Sequence, residues 1–277
     1  MRVAILGSTG GWHAERLERA LAARGHECGF VPVTRMVGRI EGGVAVGGLE
    51  ACDAVMVRGV PRGSLEQVVF RVDALHALAA VGVRVVNPAT AIERTVDKFL
   101  ASALMAAAGV PTPRTVVCER ADDALAAFGE LGGDVVVKPL FGSMGLGMAR
   151  VDDPDVAQRV FRALELERAV YYLQETRTGS DVRAMVVGGR VIAAVERVGD
   201  GWRANLARGA RARPVALEPG RAELCLRAVA AVGAGYAGVD LLGDQVLEVN
   251  GIPGWHGLER ATGVDVAAAL VEHLERL

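Results

Sequence analysis

The sequence predicts a mixed α/β chain that opens on a doubly wound parallel sheet and turns to hairpins in its second half. Two patterns predict this: strand and helix signals alternate through the first 90 or so residues, and paired apolar runs parted by glycines follow later. The alternation reads Arg2 to Gly7, a helix from His13 to Arg24, Glu27 to Val33, Ala54 to Arg58, a helix from Leu65 to Val81, and Val83 to Val86. From Val96 a helix is expected to carry Val96, Phe99, Leu100, Ala103, Leu104 and Ala107 on one stripe, until Gly109, Pro111 and Pro113 stop it. A new lobe begins there, with a strand at Thr115 to Cys118, a helix near Ala121 to Glu130, the valine strand Val135 to Val137, a glycine loop, and a helix from Pro154 to about Glu167. After a strand from Val170 to Gln174, the runs Val182 to Val187 and Val191 to Val195 are parted by Gly188, Gly189 and Arg190. Val239 to Leu242 and Val246 to Val249 are parted in the same way by Gly243, Asp244 and Gln245. Both are hairpin patterns. An amphipathic helix from about Val264 to Leu277 closes the chain.

The 277 residues suffice for two or three lobes with substantial cores. Lys plus Arg (31) nearly balances Asp plus Glu (33), so no global field draws polyanions. Three Trp, three Tyr and six Phe leave little material for stacking bases, and nucleic acid is not expected as a partner. Cys28, Cys52, Cys118 and Cys225 are scattered without a C-x-x-C pair, as reduced cytoplasmic thiols are. The first strand starts at Arg2 with no signal-peptide pattern. The longest small-apolar run, Ala228 to Val239, falls short of the roughly 20 residues that a bilayer needs. A cytoplasmic location without a membrane role is expected, and a homo-oligomer is compatible with it.

Glu248 and Asn250 lie two residues apart and so share one face of a strand, with Leu247 and Val249 on the other, into a core. If Gly243 to Gln245 form a three-residue loop, Asp240 lies opposite Glu248 and three oxygen donors converge; a two-residue loop would break this. Such an open cluster of hard oxygens suits Mg²⁺ carried in with a triphosphate. Without the convergence these are solvated strand residues. Lys138 follows three valines and precedes Pro139 and the stretch Phe141 to Gly147, whose glycines let backbone amides fold over phosphates. The lysine precedes the loop, so this is no P-loop, and a plain hairpin turn is the alternative for the glycines alone. Lys98, off the apolar stripe of its helix, reads by itself as a solvated surface lysine. Arg203, Asn205 and Arg208 form a polar set whose guanidiniums can clamp phosphate or carboxylate oxygens, or simply make a charged surface loop. Asp181 opens a strand as an end cap or a ribose ligand. Trp12 with His13, and Trp255 with His256, read as packing or cleft lining ahead of catalysis. The Gly7 to Gly11 turn lacks G-x-G-x-x-G and no acid ends the second strand, which argues against a dinucleotide oxidoreductase.

Taken in order, seven short motifs resemble the ATP-grasp superfamily, and within it the RimK-like amino-acid ligases. They are Asp97-Lys98-Phe99, Val136-Val137-Lys138-Pro139, Gln174-Glu175, Asp181-Val182-Arg183, Arg203-Ala204-Asn205-Leu206-Ala207-Arg208-Gly209, Gly238-Val239-Asp240 and Leu247-Glu248-Val249-Asn250. The resemblance spans almost the whole chain. It implies an N-terminal Rossmann-like domain over residues 1–94 and two α+β lobes, 95–173 and 174–277, that clamp ATP. On the matching positions Lys98 and Lys138 would hold phosphates under the loop of Gly142, Ser143 and Gly145. Glu175 and Thr176 would sit beside adenine at the interlobe hinge, and Asp181 would meet the ribose. Arg203 and Asn205 would contact the triphosphate, and Arg208 the phosphate or an incoming acidic amino acid; Arg203 or Arg208 would also stabilise a tetrahedral oxyanion. Asp240, Glu248 and Asn250 would hold Mg²⁺ or Mn²⁺, as two ions. The implied reaction joins a carboxylate to an amine through an acyl phosphate and releases ADP and phosphate. The hinge, Thr176 to Ser180, is shorter than the usual pattern. Gly10-Gly11-Trp12-His13, and the stretch from Arg58-Gly59-Val60 through Ser64-Leu65-Glu66-Gln67, look more like the ligases that add L-glutamate to tetrahydromethanopterin than like the ribosomal-protein glutamyl ligase. A glutamyl ligase acting on a protein C-terminus or an amino-group carrier protein is the alternative within the class. An ATP-binding regulatory module without ligation is the alternative outside it, against which the full set of Lys138, Asp240, Glu248 and Asn250 argues.

Overall fold

In a computed structural model that describes residues 1–8, 10–142, 146–199 and 211–277, the strands form three larger sheets and one small hairpin. The first sheet orders Glu27–Pro32, Arg2–Gly7, Ala54–Val57 and Arg84–Val86 side by side, every pair parallel. Parallel neighbours need crossovers, and the helices Trp12–Ala23 and Leu65–Ala80 supply them. Alternate residues of the Arg2–Gly7 strand feed two cores: Val3 and Ile5 pack with Leu17 and Leu21, while Ala4 and Leu6 pack with Leu75 and Leu78. That is the mark of a sheet covered on both faces. Ser64 and Gln67, singled out above within a resemblance, form the capping box that starts the Leu65–Ala80 helix.

The second sheet is antiparallel, in the order Thr115–Cys118, Tyr171–Glu175, Val135–Lys138 and Ala149–Val151. Its apolar face (Val135, Val137, Tyr171, Leu173) rests on Phe128 and Phe161 of the helices Ala121–Glu130 and Pro154–Leu166. The third sheet orders Arg211–Pro214, Arg190–Val198, Asp181–Val187, Tyr236–Leu242 and Gln245–Asn250, again antiparallel. Val182, Ala184, Val239 and Leu241 pack there against Ala228 and Val229 of the helix Pro219–Val232, with Ala101 and Met105 of Lys98–Ala107. Met185, Val187 and Tyr236 lie in the core that also holds Leu270 and Leu274 of the helix Val266–Glu275 and Leu17 of the first domain. Asn87 rivets the same seam. Fully buried, it donates to the carbonyls of Tyr236 and Gly251 at 2.7 and 2.6 Å and accepts from the amides of Gly235 and Tyr236 at 2.8 and 3.1 Å.

Two expectations change. The helix expected from Val96 is two helices, Ala89–Val96 and Lys98–Ala107, because the Asp97 carboxylate caps the second by accepting from the amides of Phe99 and Leu100. The apolar stripe is also on another face: Val96, Phe99 and Leu100 are 52%, 53% and 39% exposed, and Ala101 and Met105 are the buried pair, because close helix packing selects the small residue. The closing helix stands where it is expected, at Val266–Glu275, and a further short helix, His256–Thr262, precedes it. The sequence reading also missed the helix Pro219–Val232 and the hairpin of Gly38–Ile40 with Val44–Val46. Residue 94 falls inside the helix Ala89–Val96 and residue 173 inside the strand Tyr171–Glu175. Among the described residues, no helix is long and apolar enough to cross a membrane.

Candidate active site

The strand pair Tyr236–Leu242 and Gln245–Asn250 sets the site through an irregularity. Its turn has two residues, Gly243 and Asp244, with Gly243 at φ +57° and Leu242 paired to Gln245. That turn would place Leu247 across from Asp240. The register slips between Asp240 and Leu241, so Leu247 becomes the extra residue of a bulge and Glu248 returns to face Asp240. The three-residue loop expected above is therefore replaced by a two-residue turn plus a bulge, with the same pairing as the result. Leu247 leaves the core face and lines a pocket with Glu248, while Val249 stays in the core. Asn250 lies opposite Gly238, two residues further along.

Arginines organise the neighbouring strands. Arg183 lies across from Asp240 and grips both of its oxygens, Nε to Oδ1 and Nη2 to Oδ2, each at 2.6 Å. Arg197 reaches Asp240 Oδ2 at 3.3 Å and holds Asp181 Oδ1 through Nε at 2.8 Å. Burial alone would raise the Asp240 pKa, but the two guanidiniums outweigh it and hold the carboxyl below its ordinary value. Asp181 is shifted upward, burial prevailing over Arg197.

Glu248 differs. Among the described residues none donates a hydrogen bond to its carboxylate. Burial, then the Asp240 charge, push its pKa up against Lys98, Arg183 and Lys138. The two lysines enter the same pocket from a helix, Lys98–Ala107, and from a strand of the second sheet, Val135–Lys138, with Thr95, Ser102 and Tyr172 beside them. Lys138, 9% exposed, donates to Gln174 Oε1, and burial together with Lys98 brings its pKa down to about 8. Lys98 donates to the Gly142 carbonyl at 2.8 Å, and burial lowers its pKa too. It is thus no free surface lysine. Two partly desolvated cations facing one unpartnered carboxylate fit phosphate oxygens and a divalent ion. Among the described residues no three His, Cys, Asp or Glu side chains gather as a ready-made metal cage. Two carboxylates with an amide match a metal that keeps other oxygen ligands, as Mg²⁺ does.

The remaining predicted positions fall elsewhere or outside view. Glu175 accepts from Arg114 N and Nε at 2.8 and 3.1 Å and from Arg177 Nε at 2.9 Å. Thr176 donates from Oγ1 to Asp134 Oδ1 at 2.6 Å, and its amide donates to the Asp134 carbonyl at 3.0 Å. Gly142 is half-buried at the edge of the loop. Ser143, Gly145, Arg203, Asn205 and Arg208 lie outside the described residues. Sequence reasoning gave no role to Arg183, Arg197 or Gln174. Arg183 shares its strand face with Asp181, and Gln174 shares one with Tyr172, which pairs with Lys138. A polar residue recurring at inward strand positions was the available signal.

These three lobes, with a two-lysine pocket between the second and third sheets, define an ATP-grasp protein. The chain belongs to the RimK-like ATP-grasp family, whose domain matches residues 95–274. It is 35% identical to the tetrahydromethanopterin:alpha-L-glutamate ligase of Methanosarcina acetivorans over 265 residues, 83% of this chain and 82% of that protein. It is 34% identical over 292 aligned residues to a probable alpha-L-glutamate ligase of Trichodesmium erythraeum, covering 100% of this chain and 96% of the relative. Its fold is shared with the ATP-grasp ligase PsnB complexed with minimal precursor, Mg and ADP, at a TM-score of 0.77, 23% identity and coverage of 99% and 97% of the two chains. The chain is an ATP-dependent ligase of this family.

Proposed function

We propose that the chain activates a small-molecule carboxylate with ATP and joins it to the amino group of an amino acid, L-glutamate before others, with release of ADP and phosphate. The observation that carries this is the meeting of Lys98, Lys138 and Glu248 in one pocket beside the arginine-held Asp240. In this reading the lysines bind phosphate oxygens and the loop of Gly142, Ser143 and Gly145 covers them. Glu175 and Thr176 border adenine, Asp181 the ribose, and Arg203 and Asn205 the triphosphate. Asp240, Glu248 and Asn250 hold Mg²⁺ or Mn²⁺, as two ions, which supply positive charge to the phosphates. An oxygen of the acceptor carboxylate attacks the γ-phosphorus and ADP leaves. The amine nitrogen then attacks the acyl carbon, loses its proton and expels phosphate, with Arg203 or Arg208 facing the oxyanion. Positioning and charge neutralisation suffice for such phosphoryl transfer, and no covalent enzyme intermediate is needed.

The named relatives support L-glutamate and a tetrahydromethanopterin-like acceptor as the first pair to test. A matrix of carboxylate acceptors, with peptide C-termini as a second series, is to be crossed with amino acids and read as nucleotide release and product mass. ADP and orthophosphate should appear in equal yield with product, and full release should need both substrates. AMP and pyrophosphate in stoichiometric yield, seen by phosphorus NMR, would overturn the acyl-phosphate route.

A further inference from the structure

The seam between the first sheet and the loop after Asn250 holds a cation for which the chemistry above has no use. Arg58 directly follows the strand Ala54–Val57, and its guanidinium carbon lies 4.3 Å from the centre of the Trp255 ring. Its Nη2 donates to the Pro253 carbonyl at 2.8 Å, whereas Nε and Nη1 are sealed from solvent and meet no acceptor among the described residues. Trp255 is 1% exposed, and its Nε1 is a further buried donor without an acceptor. Nearby His13 offers no counter-charge. Its Nε2 accepts from the Trp255 amide at 3.1 Å, and burial, then the charge on Arg58, keep the ring neutral with a pKa of about 4. Trp12 closes the cluster, 4.4 Å from the His256 ring. Three donors and a full charge thus share one place, with no acid among the described residues to answer them.

An unmatched buried donor is costly, and a charged one more so, which is why an arrangement of this kind calls for a ligand. Its position names the ligand. A Cβ built on Gly238 would stand 3.0 Å from Pro253 Cβ and 3.8 Å from Arg183 Nε, and Arg183 is the bidentate partner of Asp240. The Arg58 tether therefore lies one residue's width from the charged face where the acyl group is made.

We propose that Arg58, stacked on Trp255, anchors a carboxylate of the acceptor substrate, separate from the carboxylate that is phosphorylated. The inference rests on the ligase reading and adds a recognition residue from the N-terminal domain. Arg58 is partly exposed as a residue, and the anchor requires a turn of its outer torsions that brings the free N–H groups to the cleft.

Thermal unfolding of the full chain tests this without turnover, using glutarate as the probe, glutaramide as its neutral counterpart and sodium chloride at matched ionic strength. Glutarate should raise the midpoint of the natural protein, and glutaramide should not. Arg58→Met, which keeps a stack on Trp255, should melt at or above the natural protein without ligand and lose the glutarate response; Arg58→Lys should keep part of it. Equal responses from the natural protein and both variants, including no response in any, would overturn the proposal. In the ligation assay Arg58→Met should raise KM for the acceptor roughly 10- to 100-fold, the loss expected of charge-assisted bonds, with KM for ATP and for the amino acid unchanged. A rise in the amino-acid KM instead would overturn the assignment to the acceptor. An Arg58-dependent glutarate response in a chain that releases no ADP would count against the ligase reading alone, and normal ligation by Arg58→Met would count against the anchor alone.

Discussion

Lys138 is the residue on which nucleotide affinity should turn. Its pKa of about 8 against an ordinary 10.5 means that the empty pocket loses this charge well within the range of laboratory buffers. Triphosphate oxygens would restore it, so ATP binding above pH 8 should take up a proton, and affinity should fall by up to tenfold per pH unit. Below about pH 7 uptake should vanish. Calorimetry in buffers of different ionisation heat reads the uptake directly, and Lys138→Met should abolish it while weakening ATP binding roughly 10- to 100-fold. The sign reverses for the unliganded fold: between pH 8 and 10.5 the unfolded chain binds the extra proton, so this group's contribution to stability rises with pH. Nothing in the valine run before Lys138 announces the depressed pKa. It arises from burial first and then from Lys98, 40 residues earlier in the chain, which the pattern of its own helix placed on the surface.

At the scale of elements, the bulged strand pair decides which carboxylates meet. Alternation along Leu247-Glu248-Val249-Asn250 is visible in the sequence, and so is the hairpin. The bulge is not, because a one-residue slip leaves no compositional trace and is chosen by packing on both faces. The expected pairing of Asp240 with Glu248 was thus right for a reason the structure replaces. The parallel and antiparallel strands were legible for the opposite reason, since buried valine runs and glycine turns carry their own signal. Helices built from alanine were harder: the face of Lys98–Ala107 that packs is marked by Ala101, which no hydrophobicity pattern singles out. If the register sets the metal ligands, Glu248→Gln and Asp240→Asn should each cut turnover at least roughly 10²-fold with the fold intact. Near-normal rates for both at saturating Mg²⁺, with unchanged circular dichroism, would remove the assignment.

Across the whole molecule, Asn87 joins the first sheet to the third through four hydrogen bonds, two of them to Gly235 and Gly251, which flank the strands of Asp240 and Glu248. Asn87→Ala leaves those backbone groups buried and unmatched, and should cost roughly 3–5 kcal/mol in urea denaturation. The lobes are also tied electrostatically, since Glu248 of the third sheet answers lysines on an earlier helix and on the second sheet. The grip of Arg183 on both oxygens of Asp240 has a consequence for the order of events. A divalent ion arriving alone finds one carboxylate engaged by a competitor and only Glu248 open, whereas an ion already bound to nucleotide brings its own oxygens. Titration of MgCl₂ into the nucleotide-free chain should therefore show no saturable heat, while Mg²⁺ with ADP should bind tightly. The ligase should then take up its metal together with nucleotide, so that supply of the metal–nucleotide complex, and not free metal alone, loads the site.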